Sequence, residues 1–324
     1  MRRTGIDSRV ENRQSRHETL AENPPRATGT ASGAGGKYDR RALTYANTFD
    51  NRFQATTIRA IEWLTGKITL LRMIRELERR GAPQGSAFWK ACLDIMGIDI
   101  QTPAEQIANI PAEGPLVVVA NHPHGLVDGM VMAELVSRRR EDYKILVRAL
   151  LTGLDEVASS YLISVPFPHD AEAQKKFVAM RAEAMAQLKA GGAVALFPSG
   201  VVAASKGLFG PAVEAEWNVF TAQMIRRSGA RVVPVYFPGH NSRAYQIANR
   251  VSSTLRQGLL LHEIVRSCHR PQAPIIGAPL TEAQMEPLKT DPRGFMKWLR
   301  AHTLGLGNQP AQQGQRVGTG ASPR

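Results

Sequence analysis

From residue 116 to residue 277 the sequence repeats one pattern. A short, almost wholly apolar run is followed by a loop punctuated with proline and glycine, and then often by a segment of helical length. The runs lie at 116–120, 144–147, 161–167, 193–197, 232–237 and 274–277, and each reads as a strand. Segments 129–139, 171–190 and 214–228 have the length and residue types of crossover helices. This alternation predicts an α/β domain with a mainly parallel, layered sheet flanked by helices. Strands with no polar face predict a sheet covered on both sides.

Ahead of the alternating region, residues 52–80 read as a basic amphipathic helix. Ile61, Leu64, Ile68 and Leu71 form one stripe, with Arg59, Arg72, Arg75, Arg79 and Arg80 outside it. Such a helix either packs its stripe on the domain or lies in a membrane interface. Residues 1–41 and 305–324 are polar, small and glycine-rich, with almost nothing to bury, so they read as disordered tails, the first one basic. Residues 42–304 show neither an internal linker nor a repeat, which predicts one domain that includes helix 52–80.

Composition narrows the classes further. A chain with 43% hydrophobic and 21% charged residues is not fibrous or wholly disordered. Its two cysteines, Cys92 and Cys268, exclude a disulfide scaffold and fit a reducing, cytoplasmic setting. The longest uncharged stretch, residues 190–205, is broken by Pro198 and glycines and falls short of the ~18 apolar residues of a spanning helix. The Arg-, Ser- and Asn-rich N-terminus has no apolar core of a secretory signal. The net charge of +13 calls for an anionic partner, and most of it lies outside the two tails. Aromatic residues are only 6% and do not interleave with basic ones, which argues against nucleic acid.

Three strand-to-loop junctions carry the polar groups. The first, Asn121-His122-Pro123-His124-Gly125-Leu126-Val127-Asp128-Gly129, follows run 116–120, at the strand end where open α/β sheets bind ligands. Asp128, at the start of the next helix, can stay ionised on backbone N–H groups and orient His122 as a general base. The His122/His124 pair also fits a His-x-His metallohydrolase, although Asp128 is wrongly spaced for the common His-x-His-x-Asp-His signature. The second junction, Phe197-Pro198-Ser199-Gly200, can bring backbone N–H groups to an oxyanion. Ser199 lacks the flanking glycines of a nucleophile elbow. The third ends in His240-Asn241-Ser242-Arg243, where Arg243 can hold an anion.

Taken together, in order and spacing, these blocks resemble the glycerolipid acyltransferase superfamily, whose members acylate glycerol phosphate or lysophosphatidate. The resemblance runs from about residue 63 to residue 280. It is nearest to the hemolysin-like, lyso-ornithine lipid acyltransferase branch, with its Asn-His-Pro-x-Gly-x-x-Asp-Gly block and an upstream Glu-x-Leu-Thr-Gly, here Glu62-Trp63-Leu64-Thr65-Gly66. It implies that His122 and Asp128 are catalytic, with five residues between them where most of the superfamily has four. The superfamily's Phe-Pro-Glu-Gly-Thr-Arg reads Phe197-Pro198-Ser199-Gly200-Val201-Val202 here, and residues 161–170 contain no arginine. Both departures remove donors for an acceptor phosphate. A phosphate-free lysolipid such as a lyso-ornithine lipid then fits better than lysophosphatidate, unless Lys206 or Arg243 compensates.

The resulting expectation is an O-acyltransferase that uses an acyl carrier protein or coenzyme A thioester, with no metal and no other cofactor. Gly125, Ser199, Gly200, Lys206, Asn241 and Arg243 would surround the oxyanion and substrate. The enzyme would lie peripherally on the anionic inner face of the cell membrane. The alternatives are the metallohydrolase and a non-catalytic basic membrane-binding protein.

Overall fold

The structure is a computed structural model that describes Thr44, Ala46 and residues 51–148, 159–166, 172–207 and 210–308. The tail 1–41 and most of the tail after residue 305 lie outside the described residues.

Helix α1 (Arg52–Glu62) runs through a π turn (Trp63–Lys67) into α2 (Ile68–Arg80), followed by α3 (Ala87–Ile95) and α4 (Ala104–Ile107). Strand β1 (Leu116–Ala120) leads into α5 (Leu126–Ser137), β2 (Tyr143–Arg148), β3 (Leu162–Val165), α6 (Ala173–Lys189) and β4 (Ala193–Leu196). A small hairpin, β5 (Ala204–Ser205) and β6 (Ala212–Val213), precedes α7 (Val219–Ser228) and β7 (Arg231–Tyr236). Next come α8 (Arg243–Val251), α9 (Ser253–Gly258), α10 (Leu260–Ser267) and β8 (Ile275–Ile276). The last helices are α11 (Glu282–Met285), α12 (Pro287–Thr290) and α13 (Pro292–Gly305).

The main sheet has the order β3-β2-β4-β1-β7-β8, parallel except for the antiparallel edge strand β8. Every residue of β1 is fully buried, because successive side chains point to opposite faces and both faces are covered. Leu116, Val118 and Ala120 meet Val233 and Val235 under α3, α5 and α10. Val117, Val119, Val194 and Leu196 meet α6, α7 and α13 on the other side. The doubly covered sheet expected from the apolar strands is therefore observed.

The stripe of helix 52–80 is divided: Leu64 is 86% exposed and Ile68 39%, whereas Ile61 and Leu71 are half-buried. A neighbouring face, Ala55, Ile58, Glu62, Gly66 and Leu70, is buried instead. Gly66 is the reason: a Cβ there would stand 2.8 Å from the Leu261 carbonyl oxygen, so only glycine lets the helix approach α10 this closely. At the other end, ordered structure continues past residue 304. Helix α13 continues through Gly305 into a 3-10 turn (Leu306–Asn308), because Leu306 is buried beside β7.

Candidate active site

Central strand β1 lies between β4 and β7, in register such that Val119 pairs with Leu196 and Ala120 with Val235. The three polar junctions of the sequence therefore leave adjacent strands at the same, carboxyl edge of the sheet. Asn121 fastens the first to the third: its Nδ2 donates to the Phe237 carbonyl at 2.8 Å and its Oδ1 accepts the Phe237 N–H at 2.7 Å. Phe197, from the junction after β4, stacks on the His122 ring with centroids 4.0 Å apart and planes 22° apart.

Helix α5 begins at Leu126, three residues before the expected start, because Gly125 adopts φ +81 and turns the chain into the helix. Asp128 thus sits in the first turn, and its carboxylate reaches back over the loop. Oδ2 accepts from the His122 ring Nδ1 at 3.1 Å, the His124 N–H at 2.7 Å and the Gly125 N–H at 3.1 Å. Oδ1 accepts from the His124 ring Nδ1 at 3.0 Å. The carboxylate is sealed from solvent, whereas the His122 side chain keeps 17% of its exposure. Burial pushes the Asp128 carboxyl up, but the hydrogen bonds from both histidines outweigh it and hold the group below the usual carboxylate value. With Nδ1–H turned to an anionic carboxylate, the other ring nitrogen of His122 is left to accept a proton. A tethered imidazole of this kind is suited to general-base work.

The other expected site residues make local contacts. The Gly125 N–H donates to Asp128, and the Gly200 N–H closes a turn onto the Phe197 carbonyl at 2.9 Å. The Ser199 hydroxyl donates to the Val201 carbonyl at 3.0 Å. Exposed Arg243 donates to the Gly210 carbonyl at 3.0 Å, beside the β5–β6 hairpin that carries exposed Lys206. Among the described residues, no hydrogen bond or ion pair joins either cation to His122 or Asp128. Asn241 is buried with its Nδ2 unpaired, and its carbonyl accepts from the His240 ring at 2.8 Å. Both rings of the His-x-His pair turn Nδ1 to Asp128, and among the described residues no group of three potential ligands gathers for a metal.

Sequence reasoning gave no role to Asn121 or to the stacked Phe197, although both stand inside the motifs. It missed Glu214 altogether; this buried carboxylate accepts the His122 backbone N–H at 3.1 Å from 92 residues away.

A family model described as acyltransferase matches residues 53–266, which covers α1 through α10 and all three junctions. The chain belongs to this acyltransferase family. It is 27% identical over 214 residues to a lyso-glycine lipid O-acyltransferase of Bacteroides thetaiotaomicron, spanning 64% of this chain and 75% of that one. It is 24% identical to a protein of the same name from Phocaeicola vulgatus, over 64% of this chain and 73% of the relative. Among solved structures, the 1-acyl-sn-glycerophosphate acyltransferase PlsC of Thermotoga maritima overlaps with a TM-score of 0.45 at 16% identity, covering 83% of this chain and 86% of that chain. The chain is thus an acyl-transferring enzyme.

Proposed function

We propose that this acyltransferase moves a fatty acyl group from an acyl thioester to the hydroxyl of a lysolipid, with His122 as the general base. The carrying observation is the 3.1 Å pairing of His122 with buried Asp128 at the open edge of the sheet. The free ring nitrogen takes the acceptor hydroxyl proton as the oxygen attacks the thioester carbonyl. A tetrahedral intermediate forms; its collapse breaks the C–S bond, and the departing thiolate takes the proton back from the imidazolium. Asp128 stays ionised throughout and stabilises the positive ring. A thioester is already activated, so the step needs no metal or prosthetic group.

The acceptor class is supported by the phosphate donors missing from residues 161–170 and 197–202, and agrees with the names of the two relatives, lyso-glycine lipid O-acyltransferases. An amino-acid lysolipid is the acceptor this chain suits best. The acyl donor, a carrier-protein or coenzyme A thioester, is anionic and complements the basic chain.

Exposed Phe53, Trp63, Leu64 and Ile68 lie among Arg59, Arg72 and Arg75 along α1 and α2, an arrangement suited to lying in an anionic membrane surface. Each basic residue near such a surface contributes ~1 kcal/mol. Among the described residues no helix is long and apolar enough to cross a membrane, so the association proposed is peripheral, at the inner face of the cell membrane.

The test is purified protein with labelled acyl carrier protein or coenzyme A thioesters, offered a panel of lysolipids and read by chromatography of the product. Acylation of an amino-acid lysolipid in preference to lysophosphatidate is expected. No acylated product with any acceptor overturns the reading, and preference for lysophosphatidate overturns the acceptor class.

A further inference from the structure

The peptide of His122 is held at both ends. Its N–H donates to Glu214 Oε2 at 3.1 Å and its carbonyl accepts the Ala203 N–H at 2.8 Å. Glu214 is only 5% exposed, and its other oxygen accepts the Trp217 Nε1–H at 3.0 Å. The stretch bearing both residues is fastened in turn. Arg300 of α13 donates to the carbonyls of Glu214 and Ala215, and the Asn218 N–H donates to the Pro198 carbonyl at 3.0 Å, next to the Phe197 that stacks on His122. Packing alone does not call for a carboxylate here, since burying one costs free energy that an apolar side chain avoids. What the carboxylate offers is two acceptor oxygens, both of which are used.

Ring placement depends on the backbone as much as on the side-chain torsions. Phe197 and Asp128 restrain the torsions; Glu214 and Ala203 restrain the peptide. We infer that Glu214 is a positioning residue that acts through His122: by pinning the His122 N–H it sets the ring in line with Asp128 and with the acceptor hydroxyl. The inference rests on His122 being the base, and the following assays separate the two.

Glu214→Gln keeps shape and removes charge. Its single amide oxygen serves only one of the two N–H donors, so either His122 or Trp217 faces an NH2 group. Misplacing a catalytic group by about 1 Å costs up to ~100-fold, so kcat is expected to fall ~10- to 100-fold with KM for both substrates little changed. Adding Trp217→Phe removes the competing donor and leaves the amide oxygen to His122, and kcat is expected to recover most of the loss. A purely structural role predicts the reverse, because losing the indole N–H as well would only lower the unfolding temperature further. His122→Ala in parallel checks the underlying reading.

Recovery in the double variant, with His122→Ala inactive, supports the inference. A wild-type kcat in Glu214→Gln, or a deeper loss on adding Trp217→Phe, overturns it while leaving His122 as the base. An active His122→Ala overturns both. Should Glu214→Gln fail to fold by circular dichroism, the double variant decides: folded and near wild type in kcat supports the role, and folded without recovery overturns it.

Discussion

One carboxylate organises the site at the residue scale. Asp128 takes two imidazoles and two backbone N–H groups; burial raises its pKa, but the two histidines outweigh it and hold the group below the ordinary 3.8. For an acid with a depressed folded pKa, the stability it contributes is complete above the unfolded value and is lost as pH falls through the folded one. Asp128→Asn is therefore expected to lower the urea midpoint at pH 7, and the gap from wild type is expected to narrow as the pH drops below about 3.8; a gap unchanged at pH 3 would contradict this. Both His122 and His124 spend Nδ1 on this carboxylate rather than on a metal, so excess chelator is expected to leave acyl transfer unchanged. Activity lost to chelator and restored by a divalent ion would instead favour the His-x-His metal reading. The His122–Asp128 pair was legible because the two residues lie six positions apart in one motif. Glu214 was not, because its contact joins residues 92 apart and is fixed only when α13 and the β5–β6 hairpin close around it.

The strands were the most legible elements, since a sheet covered on both faces leaves its strands almost wholly apolar. Strand β1 spans the expected 116–120, β4 ends one residue before its run, and β7 is shifted from its run by one residue. Helices were less legible wherever their ends serve the site. Helix α7 starts at Val219, capped by the Asn218 side chain, and not at 214, because residues 212–213 pair with β5 and Glu214 holds His122. The amphipathic character of 52–80 was legible but its docked face was not, since Gly66 signals a close approach only once α10 is in place. Gly66→Ala would press a methyl group onto the Leu261 carbonyl and is expected to cost about 1–3 kcal/mol, seen as a lower urea midpoint; an unchanged midpoint would mean that α1–α2 does not dock as described. Leu64→Glu with Ile68→Glu changes exposed positions only, so the unfolding temperature is expected to hold while sedimentation with anionic vesicles falls.

Considered as a whole molecule, the chain is strongly basic. The net charge of +13 bears on encounter with anionic partners rather than on the fold. Exposed charges are screened beyond about 8 Å at physiological salt, so vesicle binding is expected to be strong at low ionic strength and to fall steeply as salt is added. Binding that is absent at low salt would remove the membrane from the account. The central claim is narrower and concerns one imidazole. Its most direct test is the turnover of lysolipid by His122→Ala, with circular dichroism matching wild type. A general base removed from its substrate predicts a loss of ~100-fold or more; turnover close to wild type would contradict it.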